Sequence, residues 1–428
     1  MEDLWNLQTI RNTRGIPMYR RTIRRLTSTL PGGLAEHLPL MGQSLLVFTS
    51  NIGGILSGLI FAVFFSILQD PILLMLFPAI LTLRGDVNGI LSSKLGTLLH
   101  TGRILPSLKG NTRDFETLLQ SIFVFTFQDM LLLGLLAFAA NLALGRVDLA
   151  SLPLFILIPG LTGGISVAIS EIITSALAIF TFRKGLDPDV LTYPVTSTIN
   201  DVMVAFVYFT VSWLMLTKTL PRFFSVLIFT AIGVFSLFFA LRNRNRDVFK
   251  KMFVEATPVI FASLSIGIVN GLILAGFKSE IGKYPGVLIV YPVLMSALGN
   301  IGAIIGATTT TKLFLGELEA KLTTIGGALK GLIPIEGAAF LLHIVYGLLG
   351  VLLSEKTGLT VPTLKILGIT LTSNLITFPA IFIVAYLIAI MTFKKGLDPD
   401  NFVIPLETSI ADSLATISIS ALTKIFLG

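Results

Sequence analysis

Hydrophobic residues fill this chain in long blocks separated by short polar stretches. From Ser44 the blocks cover roughly 44–68, 71–99, 116–144, 152–182, 190–217 and 222–241, then 256–277, 286–314, 325–353, 362–393 and 402–427. Each is long enough to cross about 30 Å of hydrocarbon as a helix. The pattern therefore predicts an all-α, polytopic membrane protein with eleven spans. Several blocks exceed a minimal span, which predicts tilts, breaks or ends that project beyond the bilayer. Residues 1–43 are polar by contrast and carry Arg11, Arg14, Arg20, Arg21, Arg24 and Arg25. Tyr19, Ile23, Leu26 and Leu30 fall at helical spacing opposite these arginines, a pattern that fits a short helix in the membrane surface or a basic tail that fixes orientation. The stretch lacks the apolar core of a cleaved signal peptide, so the start is expected to be retained.

Polar residues inside the blocks reveal a duplication. GLDPDVLTYPVTSTIND at Gly185 returns 211 residues later as GLDPDNFVIPLETSIAD at Gly396. Asp-Pro-Asp predicts a helix start, with Asp187 and Asp398 as N-caps and Pro188 and Pro399 at the first helical position. Asp201 lies 12 residues past Asp189, hence about 18 Å along the helix and near the middle of a bilayer. Asp412 has the same depth. Pro194, Thr198 and Asp201 are spaced i, i+4, i+7, as are Pro405, Ser409 and Asp412, so each helix is expected to gather a proline, a hydroxyl and a carboxylate on one face.

The repeat extends upstream. Gly54 and Gly58 match Gly267 and Gly271, both at GxxxG spacing that lets helix backbones approach closely. PAILTLRGDVNG from Pro78 matches PVLMSALGNIGA from Pro292, which puts Asp86 opposite Asn300. Each half thus holds five spans, and the sixth restores the orientation that an odd number would invert. The expected organisation is a basic segment over 1–43, a five-helix repeat over 44–218, a linker helix and loop over 219–251, and a second five-helix repeat over 252–428. The two repeats would run parallel about a pseudo-two-fold axis along the membrane normal. Asp201 and Asp412 would then face each other at equal depth, which suits a cation path.

Composition narrows the chemistry. The chain is 54% hydrophobic and 13% charged, against a usual charged share of about 25%, so a soluble core cannot absorb it. There is no cysteine, and His37, His100 and His343 are the three histidines, too few for a soft-metal cage; a bound metal would meet oxygen. The net charge of +7 is scattered between apolar spans, which argues against nucleic acid. With the N-terminus inside, the inner loops collect the N-terminal arginines and Lys94, Arg103, Lys109, Arg113, Arg183, Lys184, Arg242, Arg244, Arg246, Lys250, Lys251, Lys312, Lys321, Lys330, Lys394 and Lys395. Far fewer basic residues fall outside, so the N-terminus is expected to be cytoplasmic and the C-terminus extracytoplasmic.

At Pro78 to Thr97 (PAILTLRGDVNGILSSKLGT) and at both Asp-Pro-Asp...Pro...Asp blocks, the chain resembles the MgtE-type magnesium transporters, and more closely their two-repeat relatives among the solute carriers. The resemblance implies transport of Mg2+ or other divalent cations such as Mn2+, with Asp201 and Asp412 matching the family's pore aspartate. In one-repeat bacterial members two five-helix units form the pore as a homodimer; one chain is expected to do so here, as a monomer. Asp86 stands where the family has Asn, Lys94 where it has Arg, and Ala307 to Thr311 reads ATTTT where Ser-Arg-x-x-Thr is the pattern. Only about 40 residues precede the first block, so the family's cytoplasmic sensor domains are not expected.

Mid-membrane carboxylates are costly and mark functional sites. Mg2+ takes oxygen ligands, keeps water and is held by one or two carboxylates, a demand that Asp201 and Asp412 fit. Asp86, Asn300, Thr198, Asn200 and Ser409 are further candidate ligands, although small polar groups also serve helix packing. Asp187, Asp189, Asp398 and Asp400 lie at the inner mouth, the first and third of them as caps. Gln128, Asp129, Glu171 and Glu336 lack matching acids in the other repeat and suit proton relay, a coupling ion or pairing with Arg84. His343 fits a packed polar residue. Two membrane aspartates also occur in intramembrane aspartyl proteases, but those acids sit in dissimilar motifs, one of them GxGD, which is absent here. A carrier of another solute built on Arg84 would rest on an arginine with no repeat partner.

Overall fold

The computed structural model describes residues 44–45, 48–184, 188–217, 219–314, 318–321, 325–359, 361–395 and 399–427. Among them the regular structure is helical. In chain order the helices are α1 (Gly53–Leu68), α2 (Pro71–His100), α3 (Arg113–Ala143), α4 (Leu152–Arg183), α5 (Pro188–Thr217), α6 (Thr219–Asn243), α7 (Asp247–Gly276), the short α8 (Lys278–Lys283), α9 (Val287–Phe314), α10 (Ile325–Thr357), α11 (Thr363–Lys394) and α12 (Pro399–Leu427). The surface-helix expectation at Tyr19 to Leu30 and the caps Asp187 and Asp398 lie outside the described residues, as do the side chains of Asp189, Asp400, Pro194 and Pro405.

Local chemistry sets the boundaries. Pro188 and Pro399 open α5 and α12 as expected for residues whose missing N–H is harmless in a first turn. Thr112 caps α3 by accepting the Phe115 N–H, with Asp114 and Glu116 in the first turn against the helix dipole. Prolines lie inside α2, α4, α7, α9, α10 and α11, a pattern membrane helices tolerate because neighbouring helices and hydroxyls satisfy the freed carbonyls. Hydroxyls bond back one turn in the same way, as Thr126 does to Ile122 and Thr162 to Ile158.

Ten helices among the described residues are long and apolar enough to cross a membrane, so the chain is a multi-span membrane protein. The difference from eleven lies in the expected block 256–277. It falls on α7, a helix of 30 residues whose apolar stretch among the described side chains is Ile260–Gly276. At the other extreme α4, α10 and α11 have 32, 33 and 32 residues, about 50 Å each, and exceed the hydrocarbon thickness.

Two helices form the centre. The apolar windows of α2 and α9 are 83% and 82% buried, against 11% for α6. Around them the packing interlocks early and late parts of the chain: α1 lies on α5, α9 and α10, while α7 lies on α12, α2 and α3. The GxxxG glycines make the crossings close. A Cβ at Gly54 would stand 3.0 Å from the Val293 Cα and one at Gly58 would strike the Ile289 carbonyl; one at Gly267 would stand 2.9 Å from the Ala79 Cα and one at Gly271 would strike the Met75 carbonyl. By contrast α6 packs mainly on α3, α4 and α5 and leaves Phe223, Phe224, Phe235 and Phe238 exposed.

Candidate functional site

The interlock brings the discontinuous polar residues of α2, α5, α9 and α12 to one cavity of about 70 Å³. That volume holds several waters, since each needs roughly 10–15 Å³ on this measure. Leu81, Thr82, Gly85 and Asp86 line it from α2, and Met295, Ser296, Gly299 and Asn300 from α9. Ser197 and Asp201 line it from α5, and Thr408 and Asp412 from α12. Gly85 has nothing within 4 Å of its would-be Cβ, and at Gly299 the nearest atoms, from Thr408 and Asp412, lie 3.9–4.0 Å away. The two glycines keep side chains out of the space between the aspartates.

Hydroxyls cross between the helices to hold those aspartates. Thr82 Oγ1 donates to Asp412 Oδ2 at 2.7 Å, and Ser296 Oγ donates to Asp201 Oδ2 at 3.3 Å. Sequence reasoning missed both donors. The signal was present: Thr82 and Ser296 occupy the same register of the duplicated segment, four residues before Asp86 and Asn300, which puts them on the same helix face.

Of the residues singled out from sequence, Asp201, Asp412, Asp86 and Asn300 line the cavity; Thr198, Asn200 and Ser409 do not. Thr198 Oγ1 bonds the Ser50 carbonyl at 2.8 Å, and Ser409 Oγ bonds Ser263 Oγ at 2.9 Å. Asn200 Nδ2 bonds Asn88 Oδ1 at 3.0 Å, and Asn88 in turn meets Thr174 and Thr196. Helix geometry explains the difference. At 3.6 residues per turn a residue four before the aspartate is displaced by about 40° and one three before it by about 60° the other way. Ser197 and Thr408 therefore share the aspartates' face, while Thr198 and Ser409 turn to the first helix of each group.

Around the cavity the charges are unevenly distributed. Asp86 lies beside Ser263 and within electrostatic range of Asp129 and Asp412. Arg84 is buried, bonded to Ser170, and within range of Glu171 and Asp201. Glu336 accepts from Asn374 at 2.7 Å, away from the cavity. His343 bonds back to the Ala339 carbonyl and packs on Tyr346. Phe61, Phe77, Phe209 and Tyr291 form a buried aromatic cluster with centroids 4.4–6.4 Å apart. Among the described residues no group of three or more acidic, histidine or cysteine side chains closes into a metal cage.

The MgtE divalent cation transporter family matches this chain twice, over residues 77–211 and 291–422. The chain belongs to that family. The two matched segments contain every residue that lines the cavity, and α6 lies between them. Similar proteins include rat solute carrier family 41 member 3, 23% identical over 367 residues that cover 80% of this chain and 77% of the relative. The mouse member 3 is 22% identical over 80% of this chain and 73% of its own length. The chicken member 2 is 24% identical over 80% of this chain and 62% of its own length. No solved structure matches the chain. As an MgtE-family protein it is a transporter rather than an enzyme, which sets the intramembrane protease reading aside.

Proposed function

We propose that this protein moves divalent cations, Mg2+ foremost and Mn2+ as a competitor, through the cavity between α2, α5, α9 and α12. Asp201 and Asp412 supply the principal negative charge, and Asp86 and Asn300 add oxygens at the wall. The observation that carries this reading is the crossed pair of hydroxyl–carboxylate bonds, Thr82 to Asp412 and Ser296 to Asp201. Each aspartate is oriented by a helix from the other part of the chain, so both parts are needed to build one site. The carboxylates surround the space without closing a cage, an arrangement suited to a cation that keeps part of its water. Thr198, Asn200 and Ser409 then act behind the site, fixing α5 and α12.

Two five-helix units, α1 to α5 and α7 to α12 with α8 as a short connector, are related in this reading by an axis along the membrane normal. Support comes from paired contacts: α1 on α9 corresponds to α7 on α2, α1 on α5 to α7 on α12, and α4 on α5 to α11 on α12. A single chain thereby suffices, with the N-terminus cytoplasmic as the Lys and Arg distribution favours.

Uptake of Mg2+ into proteoliposomes tests the assignment. Asp201→Asn and Asp412→Asn each remove a charge with little change of shape, so each should reduce flux, and the double variant should be nearly inactive while its unfolding temperature stays close to that of the parent. Parental flux in a well-folded double variant would falsify the site.

A further inference from the structure

The two aspartates have unlike surroundings, and three differences in charge between the matched segments act on them in one direction. Arg84, buried within range of Asp201, stands in the register that Leu298 occupies in the second segment. Asp86, within range of Asp412, stands where the second segment has Asn300. Glu407, also within range of Asp412, stands where the first segment has Thr196.

The third difference is a coupled exchange of volume. Asn88 fills the interior of the first segment and bonds Thr196 and Asn200. In the second segment Gly302 takes the place of Asn88, and the Glu407 carboxyl occupies the space a Cβ at Gly302 would need. Glu407 is buried, and among the described residues neither of its oxygens has a hydrogen-bond partner. An arginine stands beside Asp201 and carboxylates beside Asp412; Glu171, also within range of Arg84, is not part of the cavity lining.

We infer that the divalent cation rests off the axis, between Asp412 and Asp86, and that Arg84 is a positioning residue that holds Asp201 as its own counter-ion. This rests on the cavity being the transport site. A guanidinium fixed near one carboxylate repels a second cation there and satisfies that carboxylate, whereas Asp412 and Asp86 repel each other until a cation lies between them. Thr82 holds one oxygen of Asp412, which leaves the other to the cation. Asn300 already donates to Asn51 at 2.8 Å, so its side-chain oxygen is turned to act as a neutral acceptor.

The test is Mn2+ binding to the full chain in lipid nanodiscs, followed by the electron paramagnetic resonance signal of free Mn2+. Asp412→Asn should weaken binding at least about tenfold more than Asp201→Asn. Arg84→Leu, which copies Leu298, should tighten binding and bring the two losses together, whereas Arg84→Lys should keep the parental pattern; a merely structural arginine would not tighten binding when removed. Asp86→Asn, which copies Asn300, should narrow the gap between the two losses and carries the test if Arg84→Leu does not fold. Equal losses for Asp201→Asn and Asp412→Asn in the parent, or an unchanged gap in the Asp86→Asn background, overturns the off-axis seat alone. Undiminished binding in both aspartate variants overturns it together with the transport site.

Discussion

Thr82 and Thr198 are both membrane threonines close to an aspartate, and they are expected to fail in different ways. Thr82→Val removes the donor to Asp412 and leaves the carboxylate free to turn; a hydrogen bond to a charged group is worth about 1.5–3 kcal/mol, so apparent Mg2+ affinity in proteoliposome uptake should fall roughly tenfold, and Thr82→Ser should restore it. Ser296→Ala should cost less, because its bond to Asp201 is longer, 3.3 Å against 2.7 Å. Thr198→Val instead breaks a bond to the Ser50 carbonyl. It should lower thermal stability by about 1 kcal/mol and leave apparent affinity unchanged; a shift in affinity without loss of stability would return Thr198 to the cavity. At this scale the aspartates and Asp86 with Asn300 were legible from duplication and depth. The hydroxyls were not, because i−3 and i−4 neighbours differ by only 100° of rotation and the neighbouring helix decides which one faces the cavity.

Among the helices, close approach is concentrated at α1 on α9 and α7 on α2. Gly58→Ala and Gly271→Ala would each drive a methyl group into a carbonyl oxygen, of Ile289 and Met75 respectively. Each should destabilise by about 1–3 kcal/mol, read as a lowered unfolding temperature in detergent. Gly337→Ala in α10 has nothing within 4 Å and should be neutral or stabilising, since alanine is the better helix former. Equal effects at all three positions would remove the crossings as the source of stability. The GxxxG spacing announced that these helices touch something; which helix they touch depends on segments about 190–240 residues away.

For the whole molecule, parallel units require that the ends of α4 and α11 emerge on one face of the membrane. The natural chain has no cysteine, so Lys184→Cys and Lys395→Cys, both exposed, can each be labelled singly from outside or inside vesicles. The same face is expected for both, and opposite faces would refute the parallel arrangement. A cavity built by one chain also predicts the mass of a single chain per nanodisc with full Mn2+ binding. The interlock has a further consequence for how the protein comes to exist. Gly58 packs on Ile289, and synthesis proceeds at roughly 5–20 residues per second, so the glycine face of α1 waits on the order of tens of seconds for its partner. During that time it faces lipid, or whatever insertion factor shields it. The first five helices therefore leave the ribosome as an unfinished surface, and the closing of α9 against α1 is a late step of biogenesis.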